Sequence, residues 1–155
     1  MAHRRRAFFP GTATHLTARG VDDQPIFVCD LDRFGLLSLL EKMTERVRWF
    51  IVAWCLMDTH YHLLVVVPGD EEPRISWAMQ TLNSVYAREY NARHRRRGHL
   101  FGERFTDTLV ASERHLQAAT AYIYDNPVRA GLVRRPEDWR WSGDGRLEPR
   151  GGRTP

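Results

Sequence analysis

Lysine is nearly absent from this chain of 155 residues: Lys42 is the only one, so 22 of the 23 basic side chains are arginine. That excludes a surface built on mobile ammonium groups and leaves guanidinium forks, which suit bidentate phosphate contact and stacking on bases. Cysteine is scarce as well. Cys29 and Cys55 cannot build the disulfide framework that staples small secreted domains. Cys55 falls in an apolar stretch, where a free thiol behaves as a small apolar residue, and the compartment reads as reducing. Long hydrophobic runs are missing too. Nothing approaches the roughly 20 apolar residues that span a bilayer, and the basic head at Arg4, Arg5 and Arg6 has no apolar stretch behind it of the kind a signal peptide needs. A cytoplasmic protein with no membrane partner is expected. The net charge of +4 fits an anionic partner.

What is present reads as one α+β domain over residues 1–142, followed by a flexible Gly/Pro/Arg-rich tail at 143–155. Residues 12–19 are β-prone and Gly20 closes a first strand; residues 21–29 read as a loop. Asp30 can cap a helix over about 31–46, with Leu36, Leu37, Leu39, Leu40 and Met43 at helical spacing. A second strand at 48–57 turns at Asp58-Thr59 into a third, which begins at His60 and runs through the apolar stretch Leu63 to Val67. The spacing predicts a second helix from 71 to about 93, opened near Glu72-Pro73. A basic loop at 93–102 and a fourth strand at 104–110 follow. Ser112 then starts a third helix, which should end near Asn126 because proline disfavours helical geometry in the residue before it. The first six elements match the ferredoxin-like split βαβ: an antiparallel sheet with two helices on one face. The additional C-terminal helix is left to pack elsewhere, the open face being one place for it.

His60 and His62 lie two apart in a strand, so both point the same way and can hold one metal ion. A structural role for such a pair is an equal alternative. In the third helix Tyr122 and Asn126 are four apart and share a face, whereas Tyr124 projects roughly the opposite way. A phenol beside a metal site offers a nucleophile for phosphoryl transfer, although a helical tyrosine more often only packs and Asn126 before Pro127 can be simply a helix stop. Arg93, Arg95, Arg96, Arg97, His99, Phe101 and Arg104 mix cationic and aromatic groups in the manner of single-stranded nucleic-acid binders; the plain alternative is a solvated basic face. Trp139 and Trp141 either lid the core or stack on a base.

Taken together, these stretches resemble a known family. Leu56-Met57-Asp58-Thr59-His60-Tyr61-His62-Leu63 is similar to the His-hydrophobe-His motif of the single-tyrosine transposases of small bacterial insertion sequences. Tyr122 to Val133, the Asp138-Trp139-Arg140-Trp141-Ser142 stretch, Gly98 to Phe101, Arg104-Phe105 and Thr17-Ala18-Arg19-Gly20 resemble the branch called REP-associated tyrosine transposases. The resemblance covers about residues 8–142. It implies a ferredoxin-like HUH endonuclease that uses Mg²⁺ or Mn²⁺ and cleaves and rejoins single-stranded DNA near hairpins through a 5′-phosphotyrosine. His60 and His62 take the ligand positions, Tyr122 the nucleophile, and Asn126 the place of a third, amide ligand. Two positions depart from the family. Thr59 stands where asparagine is common, which bears on how His60 is oriented. Asn126 is shorter than the glutamine of the better-known enzymes. A domesticated, non-catalytic hairpin-binding protein is the alternative reading, and the sequence leaves open whether the protein is a monomer or a homodimer with shared sites.

Overall fold

Period-two alternation in the apolar strands decides the architecture. In the computed structural model, which describes residues 12–68 and 74–151, strand β1 (Ala13–Arg19) leads through helix α1 (Asp30–Val47) to strands β2 (Phe50–Leu56) and β3 (His60–Val66). Helix α2 (Ile75–Arg93), strand β4 (Thr106–Val110), helix α3 (Glu113–Arg129) and a two-residue strand β5 (Ser142–Gly143) complete the order. The sheet is antiparallel throughout, in the order β4-β1-β3-β2-β5. The expected α+β, ferredoxin-like arrangement is therefore what the molecule has, with β5 added at one edge.

β3 is buried on both faces over most of its length, which is why its sequence runs apolar from Leu63 to Val66. Tyr61, Leu63 and Val65 join Leu16, Trp54 and Leu56 on one face, against Leu36, Leu40 and Met43 of α1 and Met79, Leu82 and Tyr86 of α2. On the opposite face, Leu64 packs with Ala53, Cys55, Met57 and Val110 against Ala119 and Ile123 of α3. Ile123 is completely buried; removing a side chain of that size from water contributes about 2 kcal/mol and seats α3 on the sheet. The third helix thus takes the face that the first two leave open, and it is the face carrying His60 and His62.

Several boundaries differ from expectation for identifiable reasons. α3 does not stop near Asn126. Pro127 costs the helix one backbone donor, but Ala130 N–H still bonds Asn126 O at 2.9 Å, and the helix closes at Gly131, whose φ of +73° is the left-handed stop. The expected opening of α2 at Glu72-Pro73 lies outside the described residues. The beginning of the segment expected as a tail is packed: β5 pairs with β2, and Leu147 is 8% exposed within the main core. Trp141 is buried there too, while Trp139 donates its indole N–H to Leu56 O at 3.1 Å, so both tryptophans pack. Among the described residues no helix is long and apolar enough to cross a membrane.

Candidate active site

Strand register builds the site. Thr17 of β1 lies directly across from His62, and Arg19 across from His60. His15, Thr17 and Arg19 alternate onto the face where the two histidines point. His62 is 4% exposed. Its Nδ1 meets His15 Nε2 at 2.9 Å and Thr17 Oγ1 at 3.0 Å, whereas its Nε2 is buried with no partner among the described residues. His60 Nδ1 meets Thr59 Oγ1 at 3.0 Å. Thr59 therefore fixes the orientation of the imidazole through its Nδ1. The two rings stand edge to face, 5.0 Å apart.

Burial is the main reason both imidazoles are hard to protonate. It lowers the His62 pKa to about 3, with the neighbouring His60, His15 and Arg19 adding to the effect, and lowers that of His60 to about 4, with Arg19 adding. The carboxamide of Asn126 faces both rings and pulls each value partway back. His15 is lowered as well, first by burial and then by His115. At neutral pH these are uncharged rings with lone pairs to offer.

α3 closes the site from the other side. The Tyr122 ring lies 6.0 Å from the His15 and His62 rings, edge-on to both. Asn126, one turn on, donates its Nδ2 to Tyr122 O at 3.3 Å, which leaves its oxygen as the atom to offer a cation. Tyr124 points away and donates to Gly143 O at 3.2 Å. A single chain thus brings Tyr122 to its own histidines.

A cleft of about 800 Å³ opens in front of His62 and Tyr122, and Arg19, His99, Phe101 and Arg104 are in its walls. Gly20 makes this possible: a side chain there would run into the Gln24 carbonyl, and its bridge to Phe101 draws the 99–104 loop to the end of β1. Arg93, Arg95, Arg96 and Arg97 do not line the cleft. Arg93 pairs with the buried Asp32, and Arg96 ties Gln24, Asn91 and His99 O together as the brace of the loop. Arg95 and Arg97 are exposed. His15, Thr17 and Arg19 were not predicted as site residues from composition or spacing, though the alternation of polar groups along β1 was the signal that could have found them.

Two neutral imidazoles, one with an orphaned buried nitrogen, and a carboxamide oxygen form a mixed N/O donor set. It fits a divalent cation that works on phosphate better than a structural zinc, which takes four ligands and commonly cysteines. A second group with ligand spacing, Cys29, Asp32 and His94, is committed elsewhere. Both Asp32 oxygens already accept hydrogen bonds, from Val28 N, Cys29 N, Arg93 and His94.

Known proteins share this architecture. The family model described as IS200-like transposase matches residues 12–126. A Haemophilus influenzae protein assigned as a REP-associated tyrosine transposase is 26% identical over 151 residues, covering 92% of this chain and 85% of its own. Among solved structures, a REP-associated tyrosine transposase bound to a REP hairpin superposes with a TM-score of 0.74 at 20% identity, covering 92% of this chain and 82% of that one. A structure from Deinococcus radiodurans R1 assigned as a transposase gives 0.52 at 17% identity, covering 81% of this chain and 96% of that one.

Proposed function

Because the chain belongs to the IS200-like transposase family, we propose that it is a metal-dependent enzyme that cuts and rejoins single-stranded DNA beside hairpins, with Tyr122 as the nucleophile. The observation that carries this reading is the placement of Tyr122, 42% exposed and lining the cleft, beside two neutral imidazoles and a carboxamide. The hairpin is the substrate feature suggested by the fold neighbour bound to one.

His60, His62 and Asn126 are the residues that would hold magnesium or manganese, which when bound polarises a phosphate oxygen and offsets its developing charge. The residues of the chain do the rest. Arg19 and Arg104 set the phosphates of the strand in the cleft, and His99 and Phe101 offer ring faces to unpaired bases. The Tyr122 oxygen forms a bond to phosphorus as the bond from phosphorus to the 3′ oxygen breaks. The phenolic proton ends on that 3′ oxygen, leaving a free 3′-hydroxyl and a 5′-phosphate esterified to Tyr122. Attack by a 3′-hydroxyl reverses the step, rejoins DNA and returns the proton. The phenol is held 6.0 Å, ring to ring, from His62, so much of the acceleration comes from positioning.

The test is a denaturing gel with a hairpin oligonucleotide carrying a single-stranded flank. An SDS-stable protein–DNA adduct is expected with Mn²⁺ and not with EDTA, and not on blunt duplex. Tight hairpin binding without any adduct would replace this reading by that of a DNA-binding protein. The ligand assignment has its own check. Thr17→Val removes one partner of His62 Nδ1 and should weaken Mn²⁺ binding by about 10–100-fold, read by water-proton relaxation without DNA; unchanged affinity would remove Thr17 from the support of the site.

A further inference from the structure

We infer that Arg129 is a positioning residue for Tyr122: its guanidinium holds the phenol ring for attack and remains as counter-charge to the phosphate that the ring's oxygen acquires. This rests on Tyr122 being the nucleophile. The Arg129 guanidinium carbon sits 4.7 Å from the Tyr122 ring centroid, within cation–π range.

Backbone proximity does not force that contact. Residues 122 and 129 are two helical turns apart, about 10.5 Å along the axis, so the arginine must reach back along the helix to cover the ring. A nearer partner exists. Asp125 lies four residues before Arg129, the spacing at which helical ion pairs form, yet no ion pair joins them. Arg129 takes the aromatic face instead. Tyr122, Asn126 and Arg129 then follow one another at i, i+4 and i+7, and this single face of α3 meets the histidines of β3.

The continuation of α3 past Pro127 is what puts Arg129 on that face. A helix ended at Asn126 would leave the arginine on a loop, free to turn away. Because Tyr122 is 42% exposed and its ring touches the two imidazole rings only edge-on, little else fixes its torsions. A cation stacked on the ring costs no space at the phenolic oxygen, so the ring is held while its nucleophilic atom stays open. Once phosphorus is bound, the same guanidinium is a fork-shaped donor one ring's width from a phosphodiester, the geometry arginine serves better than lysine.

The experiment has two arms. In the first, the five tyrosines of the chain are replaced by 3-fluorotyrosine and the Tyr122 ¹⁹F resonance is assigned with Tyr122→Phe. Arg129→Met should shift and broaden that resonance and leave the other four in place; an unmoved Tyr122 signal overturns the inference. In the second, single-turnover adduct formation is followed at saturating hairpin. Arg129→Ala should slow it by about 10²-fold with hairpin affinity within about 2-fold, and Arg129→Lys should recover part of the rate. A wild-type protein that forms adduct while Arg129→Ala forms it as fast overturns the role of Arg129 and leaves Tyr122 as nucleophile. A wild-type protein that forms none overturns both.

Discussion

Tyr122→Phe is expected to abolish adduct formation entirely, while Tyr124→Phe keeps it. The two tyrosines are separated by one residue and by just over half a helical turn, so α3 can present only one of them to the histidines. Tyr122 is the one in the cleft, 6.0 Å from the His15 and His62 rings. Tyr124 sits on the far side, where burial raises its pKa and its hydroxyl donates to Gly143 O. Removing the Tyr122 oxygen deletes the atom that would carry the phosphate, and the nearby Thr17 hydroxyl is already engaged by His62. Removing the Tyr124 oxygen deletes one neutral hydrogen bond, about 1 kcal/mol of stability, read as a small fall in melting temperature with adduct yield unchanged. Both variants should bind a hairpin as wild type does, because neither hydroxyl is needed to hold phosphates or bases in the cleft. An adduct that survives Tyr122→Phe and disappears in Tyr124→Phe would invert the face assignment and require α3 to rotate on the sheet.

What was legible in the sequence followed from local periodicity. The His60–His62 pair could be read because a strand has period two, and the pairing of Tyr122 with Asn126 because a helix has period 3.6. The ferredoxin-like order followed from element types alone. Illegible were the contacts that local spacing does not encode. His15 and Thr17 meet His62 across 47 and 45 residues, a register that alternation permits but does not fix. Arg129 was hidden by Pro127, whose preference for ending a helix was overridden by the packing of Ile123 and the Gly131 stop. Arg93 was misleading for the opposite reason. It belongs to a basic, aromatic stretch that composition assigns to nucleic acid, yet its partner is the buried Asp32, 61 residues earlier, and its charge is spent on that carboxylate.

Asp32→Ala should therefore be among the most damaging single changes to stability. Asp32 is the third residue of α1, fully buried, and accepts from Val28 N at 2.9 Å, Cys29 N at 3.2 Å, His94 at 2.8 Å and Arg93. It caps α1 and ties the end of α2 to it. Alanine leaves two amides, an imidazole and a guanidinium without their acceptor, which costs about 3–5 kcal/mol and lowers the melting temperature by roughly 10 °C. Arg93→Ala should lower it by less and leave hairpin affinity near wild type, since Arg93 does not line the cleft. The dependence on pH separates Asp32 from the histidines. Burial alone would raise the Asp32 pKa, but the Val28 amide and then His94 and Arg93 outweigh it, so the folded value lies below the usual 3.8. Its stabilisation is fully present above 3.8 and is lost as pH falls through the folded value, because the unfolded chain takes the proton first. His60 and His62 act in the same direction but begin higher. Unfolded imidazoles bind protons below 6.5, whereas the folded rings resist until about 4 and about 3. Melting temperature should thus fall in two limbs, from near pH 6.5 and again below 3.8. Asp32→Ala should keep the upper limb and lose the lower one; a variant that retains both would show that other carboxylates govern the acid limb.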